Sequence, residues 1–158
     1  MSKIGIIGHG YVGHAMERLF AGAFEIGIYD IATQPDDTVL AGASLILICV
    51  PTPMGKSGAC DVSAVMDAAQ KAVEICPDAL ICIKSAVPPG TADRLNYVHG
   101  TANFHVSPEY VGEGKNFVPP WDYPDPTESR SHDFVIVGGP QAHKVLNYFQ
   151  RVMATPAR

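Results

Sequence analysis

The 158-residue sequence predicts an α/β fold in three α/β/α layers, a doubly wound and mainly parallel sheet forming one domain over residues 1–158. Three observations carry that expectation. Short apolar, β-branched runs recur along the chain, stretches of helical period lie between several of them, and a glycine-rich turn joins the first run to the first helix. Strands that are apolar on both faces belong in a sheet covered on both sides, and alternation of strand with helix implies parallel βαβ crossovers.

The elements follow in order. "KIGIIG" (3–8) reads as the opening strand, and Val12, Met16, Leu19 and Phe20 form one apolar side of the helix behind it. "EIGIYD" (25–30) and "SLILICV" (44–50) are the next strands. From Asp61, a good N-cap, the residues Val62, Val65, Met66, Ala69 and Val73 recur at about the 3.6-residue period of a helix. "ALICIKS" (79–85), "NFHVS" (103–107) and "DFVIVGG" (133–139) are three further strands. A last helix over 141–153 carries Val145, Leu146, Phe149 and Val152 on one side. The segment 112–133 is irregular and proline-rich, which rules out sustained helix or central strand there. It is too long for an ordinary connection and reads as a lid or a mobile insertion, with Trp121 and Tyr123 anchoring it to the core.

Composition narrows the function. A net charge of -5 without a run of Lys or Arg argues against nucleic acid as a partner. No apolar stretch approaches the roughly 20 residues of a membrane span, and the N-terminus enters a strand without a signal-type segment. Cys49, Cys60, Cys76 and Cys82 have no C-x-x-C spacing and read as reduced thiols, so a cytoplasmic location is expected. The six histidines show no metal-ligand spacing on a helix, and no metal is expected.

The chemistry begins at "GHGYVG". Gly8, Gly10 and Gly13 follow a strand and open a helix, and Asp30 ends the next strand. In such a loop the first glycine permits a tight turn, the second lets backbone approach a pyrophosphate, and the third lets helix pack closely on strand. The helix N-terminus offers unpaired N–H groups to the anion. Asp30 is expected to accept the adenosine ribose hydroxyls and to repel a 2′-phosphate. No Lys or Arg stands between Asp30 and Lys56 to neutralise one. The constellation predicts a Rossmann-type domain that binds NAD rather than NADP.

Three more segments lie just past predicted strand ends: "CVPTP" (49–53), "KSAVPPGT" (84–91) and "SPEYVGEGK" (107–115). With "GHGYVG" they resemble, in the right order and over nearly the whole chain, the N-terminal domain of the UDP-glucose/GDP-mannose dehydrogenase family. Its members carry G-x-G-Y-V-G, V-P-T-P, S-T-V-P-P-G-T and S-P-E-F-x-x-E-G. The resemblance implies oxidation of a nucleotide-sugar alcohol to the acid by two hydride transfers to two NAD, through a covalent intermediate on a cysteine. It also implies cofactor contacts at Tyr11 and Val12. Val50, Pro51, Thr52 and Pro53 would then lie beneath the riboses, and Ser85 and Ala86 near the nicotinamide. Glu109 corresponds to an active-site glutamate that works with an ordered water. Tyr110, Val111 and Gly112 would join it on the substrate side, with Glu113 in the wall between cofactor and substrate.

Departures qualify the match. Ala86 stands where threonine is usual, and Gly112 where a larger residue, often Arg, is found. The family's central and C-terminal domains, with the nucleophilic cysteine, the oxyanion-stabilising Lys and Asn and the dimerisation helix, are not among these residues. The four cysteines do not substitute: Cys49 and Cys82 fall on core strands, Cys76 ends a helix and Cys60 precedes one. Two outcomes are open. The chain is either the NAD-binding part of a nucleotide-sugar 6-dehydrogenase, inactive alone and completed by a further domain or second chain, or a stand-alone NAD-binding module or scaffold without turnover.

Overall fold

The computed structural model describes residues 1–109 and 134–153. Its elements are β1 (Lys3–Ile7), α1 (Tyr11–Phe20), β2 (Glu25–Tyr29), β3 (Ala43–Ile48), α2 (Ser63–Ile75), β4 (Leu80–Ile83), α3 (Thr91–His99), β5 (Phe104–Val106) and α4 (Ala142–Gln150). The five strands make one parallel sheet in the order β2-β1-β3-β4-β5. The chain therefore starts at an inner strand, steps outward to β2, and returns across β1 to lay down the other three.

The unbroken apolar runs are explained by burial on both faces. Leu45, Ile46, Leu47 and Ile48 of β3 are fully buried. Leu45 and Leu47 pack with Met16, Leu19 and Phe20 of α1 and with Val145 and Phe149 of α4. Ile46 and Ile48 pack on the opposite face with Val65, Ala69 and Ala72 of α2 and with Leu95 of α3. Each such side chain contributes about 1.5–3 kcal/mol of transfer free energy. Asp61 does not cap α2 as expected: the N-cap is Val62, without a side-chain cap hydrogen bond, and Asp61 Oδ1 accepts the Ser63 N–H at 2.9 Å in the turn just before it.

Two elements differ from the sequence expectation. The predicted sixth strand over 133–139 does not form within its described part, residues 134–139, which make a single antiparallel bridge from Gly138 to Val106. β5 is only three residues long and presents too short an edge for a ladder. Val135 and Val137 turn inward onto the α1/α4 core while Phe134 and Ile136 face out, so the alternating pattern records packing without pairing. Conversely, α3 was not anticipated. Only Thr91, Ala92 and Leu95 of it are buried, whereas Tyr97 and Val98 are exposed, and so short a stripe carries little periodic signal. The proline-rich 112–133 segment, with Trp121 and Tyr123, lies outside the described residues.

His105 locks β5 to the start of α4. It is fully buried, its Nδ1 lies 3.4 Å from the Ile81 carbonyl, and its Nε2 accepts the Gln141 N–H at 3.1 Å. That donor requires an unprotonated Nε2, so the buried ring is neutral with its proton on Nδ1. Burial pushes its pKa below the ordinary histidine value, against the hydrogen bond to Ile81. The unfolded chain then takes up the proton first. The stabilisation is complete above the unfolded pKa of about 6.5 and is lost as pH falls below it. Urea denaturation is expected to show stability decreasing from pH 7 to pH 5, with a smaller decrease in His105→Gln.

Candidate functional site

β1 lies between β2 and β3, so the chain leaves β1 and β3 toward opposite sides of the sheet and a crevice opens between their C-terminal ends. A cleft of about 570 Å³ occupies it. Of the anticipated residues, Gly8, Gly10, Tyr11, Val12, Asp30, Val50, Pro51, Thr52, Ser85, Ala86 and Glu109 all line this one cleft. Gly13 and Pro53 do not, and Tyr110, Val111, Gly112 and Glu113 lie outside the described residues.

The glycines act by distinct means. Gly8 has φ +92°, and a Cβ on it would stand 2.8 Å from the Cys49 carbonyl oxygen. A Cβ on Gly13 would fall 2.2 Å from the Gly8 carbonyl oxygen, so only glycine lets α1 rest on the turn. Around Gly10 a Cβ would meet nothing within 4 Å, which leaves open the room a pyrophosphate needs. The N-terminus of α1 has no side-chain cap and no acidic residue in its first turn. Its unpaired N–H groups therefore meet no built-in anion that competes with a phosphate.

Asp30 faces the loop. Its Oδ2 accepts the His9 N–H at 2.9 Å, and Oδ1 accepts from Ala32 N, Thr33 N and Thr33 Oγ1 at 3.0, 3.0 and 3.1 Å. The His9 N–H above all holds the carboxyl below the usual carboxylate range, against partial desolvation and with help from Ala32 and Thr33. A carboxylate oxygen accepts about two hydrogen bonds, so Oδ2 keeps capacity for a ribose hydroxyl. Beyond Asp30 a second cavity of about 240 Å³ is lined by Tyr29, Ile31, Ala68 and Lys71. The fold thus brings a lysine near Asp30 that the sequence separates from it, but Lys71 is paired with Asp37.

The wall of the cleft is tied across strands. Ser85 donates its hydroxyl to the Val50 carbonyl at 2.6 Å, pinning the loop after β3 to the one after β4. The Cys60 thiol reaches the Ala86 carbonyl at 3.7 Å, and Pro53 accepts the Asp61 N–H at 2.9 Å. At the far end Lys84 is 2% exposed. Its Nζ donates to Ser107 Oγ at 2.9 Å, stands 3.1 Å from Glu109 Oε2, and lies 5.3 Å from the centroid of the Phe149 ring. Burial pushes the Cys49 thiol far above its ordinary range, with Lys84 opposing, and raises Cys82 to about 11, so both stay protonated at neutral pH.

Sequence reasoning missed His9, Cys49, Lys84 and Pro108 as members of the cleft. Lys84 left a signal, a single lysine ending a wholly apolar strand, since a lysine buried in that way needs a partner. The fold also gathers His9, His14 and Glu17, which scattered spacing did not reveal.

A parallel sheet with its crevice at the strand-order reversal, a glycine turn under an uncapped helix and an acidic residue ending β2 together define a Rossmann-type dinucleotide-binding domain. Residues 14–126 match the UDP-glucose/GDP-mannose dehydrogenase family, NAD binding domain. The chain belongs to that family, and its cofactor is NAD. The match begins inside α1, so the glycine loop stands on its own geometry. A UDP-glucose 6-dehydrogenase of Rickettsia bellii (strain RML369-C) is 38% identical over 91 residues, which is 54% of this chain and 21% of that protein. The UDP-D-ManNAc dehydrogenase of Pyrococcus horikoshii superposes with a TM-score of 0.78 at 21% identity, over 98% of this chain and 46% of that one. For the UDP-glucose dehydrogenase of Pyrobaculum islandicum the values are 0.72 and 22%, over 99% and 45%. The GDP-mannose dehydrogenase of Pseudomonas aeruginosa gives 0.71 and 19%, over 98% and 45%. The chain thus spans about a fifth of the curated relative and under half of these solved chains.

Proposed function

We propose that this chain holds NAD across the crevice and presents Glu109 to a nucleotide sugar, as the cofactor-binding part of a 6-dehydrogenase that oxidises a sugar alcohol to its acid. The observation that carries the proposal is that one cleft runs from the open N-terminus of α1 and Asp30 to the paired carboxylate of Glu109. In this reading the N–H groups of Tyr11, Val12 and Gly13 take the pyrophosphate, Asp30 takes the adenosine ribose, and the cavity beside Ile31 takes the adenine. Val50, Pro51 and Thr52 support the riboses, with Pro53 behind them holding the Asp61 N–H, and Ser85 and Ala86 lie at the nicotinamide. NAD, when bound, supplies the hydride acceptor. Glu109 takes and returns a proton through a water, held in direction by Lys84.

By the family resemblance we assign Tyr110, Val111 and Gly112 to recognition of the sugar nucleotide and Glu113 to the cofactor–substrate boundary, all four lying outside the described residues. Family membership and solved neighbours that are by name dehydrogenases of UDP- and GDP-sugars support this substrate class. The family's thiol nucleophile is not supplied by the buried Cys49, Cys76 or Cys82, and we place it outside these residues. Four free thiols suit a reducing compartment, which we take to be the cytoplasm. No helix among the described residues is long and apolar enough to cross a membrane.

Calorimetric titration tests the proposal. NAD is expected to bind the folded chain and raise its melting temperature, with NADP at least about tenfold weaker. Asp30→Asn is expected to weaken NAD by about tenfold, roughly 1.4 kcal/mol, and to bring the two cofactors close to parity, since the repelling charge is gone. No heat and no melting shift with NAD would remove the basis of the proposal.

A further inference from the structure

We propose that His9, His14 and Glu17 form a binding site for a divalent transition ion of the zinc class, on the flank of the glycine loop. His9 Nε2 lies 2.8 Å from Glu17 Oε2, and His14 Nδ1 lies 3.7 Å from that same oxygen. The two imidazole centroids are 3.8 Å apart, and the three candidate donor atoms all fall within 4.8 Å of one another. A tetrahedral ion about 2.0–2.2 Å from each nitrogen and oxygen holds its donors about 3.3–3.6 Å apart, a spacing the observed 2.8 Å to 4.8 Å brackets, so closure takes side-chain rotations alone.

The convergence has a structural cause. His14 and Glu17 are three residues apart on α1 and share one face of it. His9 comes from the turn before the helix, and its backbone is fixed by the hydrogen bond of its N–H to Asp30 Oδ2. The His9 side chain is 9% exposed, far more enclosed than a surface histidine, and its Nδ1 lies 3.4 Å from Gln34 Nε2. With an ion on Nε2, Nδ1 carries the proton, and a half-turn of the Gln34 amide presents an oxygen to accept it, as the outer partner of a metal-bound histidine usually does.

An ordinary helix ion pair would engage one histidine with one carboxylate. Here two rings crowd one carboxylate oxygen, a set that a shared cation satisfies together. Two imidazoles and one carboxylate favour Zn²⁺, Co²⁺ or Ni²⁺ over Mg²⁺ or Ca²⁺, which prefer oxygen donors. Remaining coordination positions open toward the cavity lined by His9, Gly10, Tyr11, His14 and Arg18. Arg18 weakens the site for a bare cation and favours water or an anion on its open side.

The test uses the full chain, free of any affinity tag and without NAD, so that it is independent of the cofactor reading. Titration with Co²⁺ and Zn²⁺ is expected to show one saturable ion per chain, visible for Co²⁺ in its d–d absorption, with Mg²⁺ failing to compete. Affinity is expected to fall at least tenfold in His14→Ala and in Glu17→Gln. His143→Ala, an exposed histidine on α4, is expected to bind as the parent chain does. His14 is exposed, and an unchanged melting temperature of its variant in ion-free buffer shows that the fold is intact. Absence of saturable binding, retention of affinity within twofold by His14→Ala and Glu17→Gln, or an equal loss in His143→Ala overturns the proposal.

Discussion

Gly13→Ala is expected to abolish measurable NAD binding and to lower stability by about 2–4 kcal/mol. The new methyl would sit 2.2 Å from the Gly8 carbonyl oxygen, a backbone atom held by the tight turn, so α1 itself has to move away from β1. That movement pulls the N–H groups of the first helical turn off the cradle and opens the packing of Met16 and Phe20. Gly10→Ala makes the informative contrast, because its methyl meets nothing within 4 Å. Its stability is expected to stay within about 1 kcal/mol of the parent, while NAD affinity falls because the methyl occupies the space over the cradle. Urea denaturation and calorimetric titration of both variants separate the two effects. Equal loss of stability in both would show that the glycines shape the turn and nothing more.

Lys84→Met is expected to cost about 3–5 kcal/mol, since it leaves the Glu109 carboxylate in a poorly solvated place without the ammonium 3.1 Å away. The Lys84 side chain is 1% exposed and that of Glu109 9%, so solvent screens the pair little. The double variant Lys84→Met/Glu109→Gln is expected to recover most of the loss, because it removes both charges together. Denaturation at neutral pH decides the matter. A single-variant cost under about 1 kcal/mol, or no recovery in the double variant, would place the pair among solvated surface contacts and would undercut the role proposed for Lys84 in directing Glu109.

Both predictions concern the same cleft, but they differ in how far the sequence reveals their basis. Gly8, Gly10 and Gly13 are legible because a strand, a turn and a helix follow one another within a short stretch, and the backbone constraints act among near neighbours. Asp30 is legible for the same reason, as the last residue of the next apolar run. Its hydrogen bond to His9, 21 residues away, was not. Neither was Lys71, which stands far along the chain yet lines the cavity beside Asp30 and is occupied by Asp37. α3 went unread because its inward stripe is short, and the strand expected over 133–139 failed because apolar alternation specifies which side chains turn inward without supplying an edge to pair with.

Taken alone, the sequence determined the layered α/β architecture, the glycine turn between the first strand and its helix, and the family, since periodicity, turn glycines and ordered short motifs are properties of neighbouring residues. Only the tertiary structure decided what the isolated polar side chains do. Lys84 meets Ser107 and Glu109, His105 accepts from Gln141, and His9 joins His14 and Glu17, through segments brought together by folding. The physical reason is that burial makes an unpartnered polar group costly, and the partner that relieves that cost is chosen by packing in space rather than by adjacency in the chain.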